Sequence, residues 1–452
     1  MSPPTLIENA HVITVDARRR ELRGGSVLID GASIVAINPD PGEIPVEVNR
    51  VDGTDAVLTP GLVNTHHHLY QWITRGLAAD HNRFQWLTTL YPIWAGIDAD
   101  AVSAAALGGL SALALSGATT TTDHHYVFPH DGGDLLGAEI GAAAELGLRF
   151  DATRGSMDRS RKDGGLPPDS VVQTIDEILA ASAVAVSRWH DRRPGAMVRI
   201  GLAPCSPFSV STDLLRESAL LARELGVRMH THLAESTDED DYCAEQFGCT
   251  PLQYMESVGW IGDDVWFAHG IEFDDDEIAR LAAAGTGIAH CPTSNARLGN
   301  GICRTRDLLD AGVPVGLGVD GAASNESARL LDEAHQAVLM ARARGGPTAL
   351  TTRTAIELAT IGGARVLGRD AEIGSIEVGK FADLVLWDLG TISHRGIDDP
   401  VAALVLGAQP PIRGSWVHGN RIVADGELLT VDVGEVAADV ADQHRRLLER
   451  AG

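Results

Sequence analysis

Cysteine is scarce in this chain. The five present, Cys205, Cys243, Cys249, Cys291 and Cys303, are odd in number, and none are spaced as Cys-x-x-Cys. A disulfide framework is therefore not expected, and a reducing compartment is favoured. The leading residues Met1-Ser2-Pro3-Pro4-Thr5 have no basic stretch and no apolar core, so no signal peptide is expected. No uninterrupted apolar run reaches about 18 residues, so no membrane span is expected either. Positive charge is also short. The 36 basic side chains stand against 62 acidic ones, a net charge of −26. Such a surface repels phosphate backbones, so nucleic acid is not an expected partner. A cytoplasmic protein follows as the expectation, with its oligomeric state left open.

The chain has 452 residues, 44% of them hydrophobic, enough for one large domain and a smaller one. The first sixty residues read as short strands, Thr5–Ile13, Gly25–Asp30, Ser33–Ile37 and Ala56–Leu58, separated by turn residues such as Asp30-Gly31. The texture returns in Ala382–Trp387, Gly414–His418 and Asn420–Val423. Neither end is long enough for a good β-core, so the two are expected to form one small β-sandwich domain from residues 1–58 and 370–430. Between them, over residues 59–369, eight apolar runs alternate with amphipathic stretches. The runs are Leu58–Thr65, Ala118–Asp123, Leu148–Thr153, Met197–Pro204, Val227–His232, Val265–His269, Gly287–Cys291 and Val313–Asp320. Eight β/α units in this length predict an α/β fold of the (β/α)8 TIM-barrel type. Residues 431–452 read as a charged terminal helix.

Chemistry-bearing residues gather at the ends of these runs. His66 and His68 close the first, and in a strand residues two apart point the same way. His232 closes the fifth, His269 the sixth and Asp320 the eighth. A His pair alone is weak evidence; four strand ends of one form are strong, because barrel enzymes place their chemistry on that rim. His66, His68, His232 and Asp320 offer three imidazoles and a carboxylate, a donor set without thiolate that suits Zn²⁺ and also Fe²⁺ or Mn²⁺. A metal so held lowers the pKa of its bound water toward about 7. Glu235, three residues beyond His232, is the candidate proton shuttle, and His269 the candidate to polarise the substrate or orient the hydroxide. His67 and His230 are expected to be structural. His124, His125 and His290 also end strands, with a weaker claim on the substrate. The fourth run has no lysine to bridge two metals, so one ion is expected.

The set His66-x-His68, His232-x-x-Glu235, His269 and Asp320, inside a split β-domain and barrel, resembles the amidohydrolase superfamily. It is most similar to the branch of mononuclear zinc deaminases and triazine hydrolases. The phrase Gly374-Ser375-Ile376-Glu377-Val378-Gly379-Lys380-Phe381-Ala382-Asp383 resembles that family's return into the small domain. The phrases Asn64-Thr65-His66-His67-His68-Leu69-Tyr70-Gln71, Ala203-Pro204-Cys205-Ser206-Pro207-Phe208-Ser209 and Val319-Asp320-Gly321-Ala322-Ala323-Ser324-Asn325 are similar to those of the 8-oxoguanine-deaminating members. The resemblance implies one divalent ion on His66, His68, His232 and Asp320, with Zn²⁺ expected and Fe²⁺ compatible. It implies catalysis by Glu235, His269 and Asp320. Gln71 is similar in place to a glutamine that reads a purine edge, and Arg154 is the candidate contact to an oxo group. The implied reaction is hydrolytic deamination of 8-oxoguanine to urate, on a small heterocyclic substrate. Triazine amino- or chlorohydrolysis and isocytosine or guanine deamination are the rivals. A non-catalytic scaffold would have lost metal ligands, and all are present here. Elemental analysis of pure protein is expected to find about one divalent ion per chain; a fully active metal-free preparation would contradict the metal assignment.

Overall fold

The computed structural model describes residues 3–452; Met1 and Ser2, the start of the leading segment read above, lie outside the described residues. Eight parallel strands close into a barrel: Leu62–Asn64, Ala118–His125, Arg149–Ser156, Val198–Pro204, Met229–Leu233, Val265–His269, Gly287–His290 and Val315–Leu317. Helices wrap it, and nearly every barrel-strand residue is buried, as parallel strands covered on both faces require. The second strand, Ala-Thr-Thr-Thr-Thr-Asp-His-His, is buried throughout despite its hydroxyls. Its Thr122 hydroxyl donates to the Asp151 carbonyl at 2.6 Å, and Thr121 Oγ1 accepts from Asn64 at 2.9 Å.

Both chain ends build one sheet of nine strands beside the barrel. Ala56–Pro60 pairs antiparallel with Leu384–Asp388, and this ladder joins the N-terminal strands to the C-terminal ones. The expected sandwich is thus a single continuous sheet. A bridge between Ser33 and Phe381 brings its far edge back over an apolar core that includes Ile7, Val27, Leu58, Leu384 and Trp416.

Two expectations are corrected at the strand ends. Leu58–Thr65 is not one strand: Ala56–Pro60 belongs to the sheet and Leu62–Asn64 to the barrel. Gly61 makes the transfer, and a Cβ there would stand 2.1 Å from the Thr119 hydroxyl. The eighth strand stops at Leu317. Asp320–Gly321 instead forms a separate two-residue ladder with His67–His68. The reason is local: Gly318 passes His66 so closely that a Cβ would lie 2.8 Å from that of His66.

The terminal helix Val433–Ala451 packs on the helix Ala99–Leu115 and on the 3-10 turn Leu69–Thr74 that follows His68. His444 Nδ1–H donates to the Ile73 carbonyl at 2.6 Å, so this helix braces the segment carrying two candidate ligands. One segment, Asp169–Trp189, is long and apolar enough by composition to cross a membrane. Here it is the crossover between the third and fourth barrel strands. Its helix Ile175–Trp189 turns Ile178, Ala185 and Val186 inward and carries Asp176 and Glu177 in its first turn. None of the five cysteines is paired.

Sheet and barrel are locked by a buried ion pair. Arg149 on the third barrel strand donates from Nε and Nη2 to both oxygens of Asp383, at 3.0 and 3.1 Å, and both side chains are sealed from solvent. Removing one partner strands the other charge. Asp383→Ala is expected to cost about 3–5 kcal/mol, read as a lower denaturant midpoint at unchanged slope. An unchanged midpoint would show that the carbonyls of Gly195 and Ala196, which Arg149 also contacts, suffice.

Candidate metal centre and active site

His66, His68, His232, His269, Asp320 and Glu235 converge at the C-terminal mouth of the barrel, all buried. His68 Nε2 lies 3.1 Å from His232 Nε2, and Asp320 Oδ1 lies 3.3 Å from Nε2 of both His66 and His68. The opposite nitrogens explain why these atoms face one another. His68 Nδ1–H donates to the His124 carbonyl at 2.7 Å, and His232 Nδ1–H to the Cys205 carbonyl at 2.6 Å. His66 Nδ1 is 2.7 Å from His230 Nε2, while His230 Nδ1–H donates to the Trp266 carbonyl at 2.9 Å. That order makes His230 the acceptor and leaves His66 Nε2 without a proton. In each ligand the tautomer is set by this network, with a bare Nε2 turned inward.

These groups fit a metal. His66 Nε2 is buried with no partner. Two bare nitrogens 3.1 Å apart cannot hydrogen-bond one another, and a cation between them would resolve that contact. Separations of 3.1–3.3 Å come close to the roughly 3.3–3.4 Å that bonds of about 2.0–2.1 Å at tetrahedral angles produce. Burial, followed by the charge of neighbouring His68, pushes the His232 imidazole down to about 3, so it is neutral and ligand-ready. Ser294 Oγ donates to Asp320 Oδ2 at 2.5 Å and Ser324 Oγ at 3.2 Å, fixing the side of the carboxylate turned from the histidines.

Glu235 stands at the edge of this cluster. The strand before it leaves through Ala234 at φ 52°, and Glu239 accepts from the N–H groups of Ala234 and Glu235. Arg83 Nη1 donates to Glu235 Oε2 at 2.7 Å, and Asn300 donates to Oε1 at 2.9 Å. Burial opposes ionisation of Glu235, but the Arg83 charge beside it outweighs burial and brings the carboxyl down to about 2. His269 accepts its orientation from Asn295, 2.9 Å from Nδ1, and its Nε2 lies 3.9 Å from Glu235 Oε1.

A cleft opens over the cluster. His68, His232, Glu235, His269 and Asp320 form its floor, and Phe84, Trp86, Tyr91, Tyr126, Phe208 and Leu298 its apolar walls.

The other sequence candidates fall elsewhere. His67 turns away, accepting from the N–H of His68 at 2.8 Å and facing the helix Ala99–Leu115. His230 is more than structural filler, because it holds His66. His124 stacks on His232 with its Nε2 given to the Ala203 carbonyl, and His125 pairs with Glu139. His290 is buried outside the cavity lining. Gln71 lies in the turn after His68, fully buried against Gly321, and both of its amide atoms lack partners; it is not among the cavity-lining residues. Arg154 is not brought to the site. Its guanidinium lies 3.7 Å over Phe128 and donates to Gln173 at 2.5 Å, so it is held away from the cavity. Arg83, Asn300 and the aromatic walls were missed, since they come from loops and a helix start with no periodic signal. The one available hint was Asn82 with Gln85, a capping pair that opens the helix Arg83–Trp94.

A family model described as the amidohydrolase family matches residues 57–425. An 8-oxoguanine deaminase from Pseudomonas aeruginosa is 45% identical over 92% of this chain and 93% of its own length. An isoxanthopterin deaminase from an unknown prokaryotic organism is 39% identical over 99% of this chain and 98% of its own. Among solved structures, an atrazine chlorohydrolase from Arthrobacter aurescens TC1 complexed with zinc superposes with a TM-score of 0.93. It is 32% identical, over 97% of this chain and all of that one.

Because His230 fixes the Nδ1 of His66, His230→Ala is expected to weaken metal affinity by about 10–100-fold, measured by competition with a chromophoric chelator. Undiminished affinity would show that His66 is oriented by packing alone.

Proposed function

The chain belongs to the amidohydrolase family, a hydrolase with a metal-competent His/Asp centre, and from that premise we propose that it deaminates 8-oxoguanine with water, giving urate and ammonia. The observation that carries the reading is the joint placement of the donor set and Glu235 on the floor of an aromatic-walled cavity. The 45% identical relative named 8-oxoguanine deaminase supports the choice of substrate. One Zn²⁺ per chain, or Fe²⁺ in its place, on His66, His68, His232 and Asp320 would supply the Lewis acidity that makes water nucleophilic at neutral pH.

The chain's own residues then divide the work. Phe84, Phe208 and Tyr126 line the cleft with apolar surface that contacts a flat heterocycle and excludes bulk water. Asp320 accepts a proton from the attacking water. Glu235, ionised and held at both oxygens by Arg83 and Asn300, takes the other proton of that water and carries it to the bare ring nitrogen beside the amine-bearing carbon, and the proton held by Asp320 passes to the departing amine. His269 presents Nε2 to the oxygen added at that carbon, its ring fixed by Asn295. Water adds, the C–N bond to the exocyclic amine breaks, and ammonia leaves. Gln71, buried outside the cavity lining with both amide atoms unpaired, is given no contact with the substrate. No nucleic acid or membrane is needed for such a substrate, and cytoplasmic residence belongs to the same proposal.

The second reading keeps the machinery and changes the leaving group. Superposition on the zinc-bound atrazine chlorohydrolase favours s-triazine hydrolysis as that alternative. An ammonia-release assay on metal-loaded protein, across 8-oxoguanine, guanine, isocytosine and aminotriazines, separates them. Turnover of a triazine alone would move the assignment. On the preferred substrate, Glu235→Gln is expected to lower kcat by about 10²–10⁴-fold with metal content retained; retention of most activity would remove Glu235 from proton transfer.

A further inference from the structure

Arg83 has more buried donors than its partner uses. It is the first residue of the helix Arg83–Trp94, lines the cavity and is only 7% exposed. Nη1 is spent on Glu235 at 2.7 Å, but Nε and Nη2 are buried with no hydrogen-bond partner. Phe84 and Phe208 stand 5.2 and 5.1 Å from the guanidinium carbon. Those rings meet the cation's charge and do not satisfy its N–H groups. Buried donors left unmade are costly, so a partner belongs there when the site is in use.

The chemistry of the proposed substrate says which partner. In 8-oxoguanine the amine-bearing carbon lies between N1, which carries hydrogen, and N3, which does not. Glu235 therefore delivers its proton to N3. Along the same edge, past C4, come N9 and the C8 carbonyl. A cation bonded to Glu235 faces that edge. Resting on the purine reading above, we infer that Arg83 is the specificity-determining residue that binds the 8-oxo group through Nε–H and Nη2–H while Nη1 keeps Glu235 in place. Guanine, which lacks that oxygen, leaves both donors unmatched.

The test compares kcat and KM for 8-oxoguanine and guanine on the metal-loaded full chain, in wild type, Arg83→Met and Arg83→Lys. Wild type is expected to prefer 8-oxoguanine. Arg83→Met is expected to lower turnover of both bases through Glu235, and to lower kcat/KM for 8-oxoguanine by about 10–100-fold more than for guanine. Arg83→Lys keeps a charge for Glu235 but has no planar fork; it is expected to recover the loss common to both bases and not the preference. A preference unchanged in both variants overturns the inference and leaves Arg83 as a holder of Glu235. A second measurement needs no variant. Urate is expected to inhibit wild type more tightly than xanthine, the product lacking the 8-oxo group, and equal inhibition constants also overturn it. Wild type that turns over neither purine but hydrolyses an aminotriazine overturns the purine reading itself, and this inference with it.

Discussion

Three imidazoles each give one nitrogen to a fixed acceptor so that the other faces a common point. His68 and His232 spend theirs on carbonyls at the ends of the second and fourth barrel strands, and His66 on His230. Those acceptors are themselves held by the barrel ladder, so ligand orientation is as rigid as the barrel. The dependence runs outward as well. The Asp320–Gly321 ladder with His67–His68 ties the first ligand pair to the fourth ligand, and Asp320 N–H donates to the His66 carbonyl at 3.1 Å. Loosening any of these bonds would misplace several donors at once.

The rim departs from regular strand geometry where it becomes chemical. Ala234, His269 and Asp320 all have positive φ, at 52°, 76° and 61°. None is glycine, and such conformations cost of order 1–3 kcal/mol each. The strain has a visible use. At Ala234 it swings Glu235 off the strand toward His269; at Asp320 it returns the carboxylate to His66 and His68. A straight continuation of either strand would carry these side chains past the centre. The large apolar core beneath the rim, with Phe150, Phe267 and Leu317 fully buried, supplies the stability that holds such a backbone.

The eight barrel runs were legible because parallel strands buried on both faces are largely apolar or β-branched, and the first, fifth, sixth and eighth led into a residue with metal or proton chemistry. The ladder of chain ends was legible as texture, but not as one continuous sheet, since pairing between Ala56–Pro60 and Leu384–Asp388 spans more than three hundred residues. The alternation rule put His66 and His68 on one strand face; in fact the barrel strand ends at Asn64, His66 lies in the irregular link after it, and His68 belongs to the separate short strand His67–His68. Arg83 and Asn300 were invisible because their meaning lies in Glu235, 152 and 65 residues away. Arg154 looked suited to an oxo group by type and place, yet Phe128 and Gln173 satisfy it first. Strand-end position is thus readable from sequence, while the direction of a long side chain depends on neighbours brought by topology.

The account stands on a single ion shared by Nε2 atoms whose Nδ1 partners are fixed. A buried second cluster, Asp123, His125 and Glu139, offers a cation a competing place one strand layer away. Anomalous diffraction at the zinc edge, on crystals of zinc-loaded protein, discriminates directly. One peak is expected within bonding distance of His66 Nε2, His68 Nε2, His232 Nε2 and Asp320 Oδ1. A peak at Asp123, His125 and Glu139 instead, or none among the three histidines, would contradict the account.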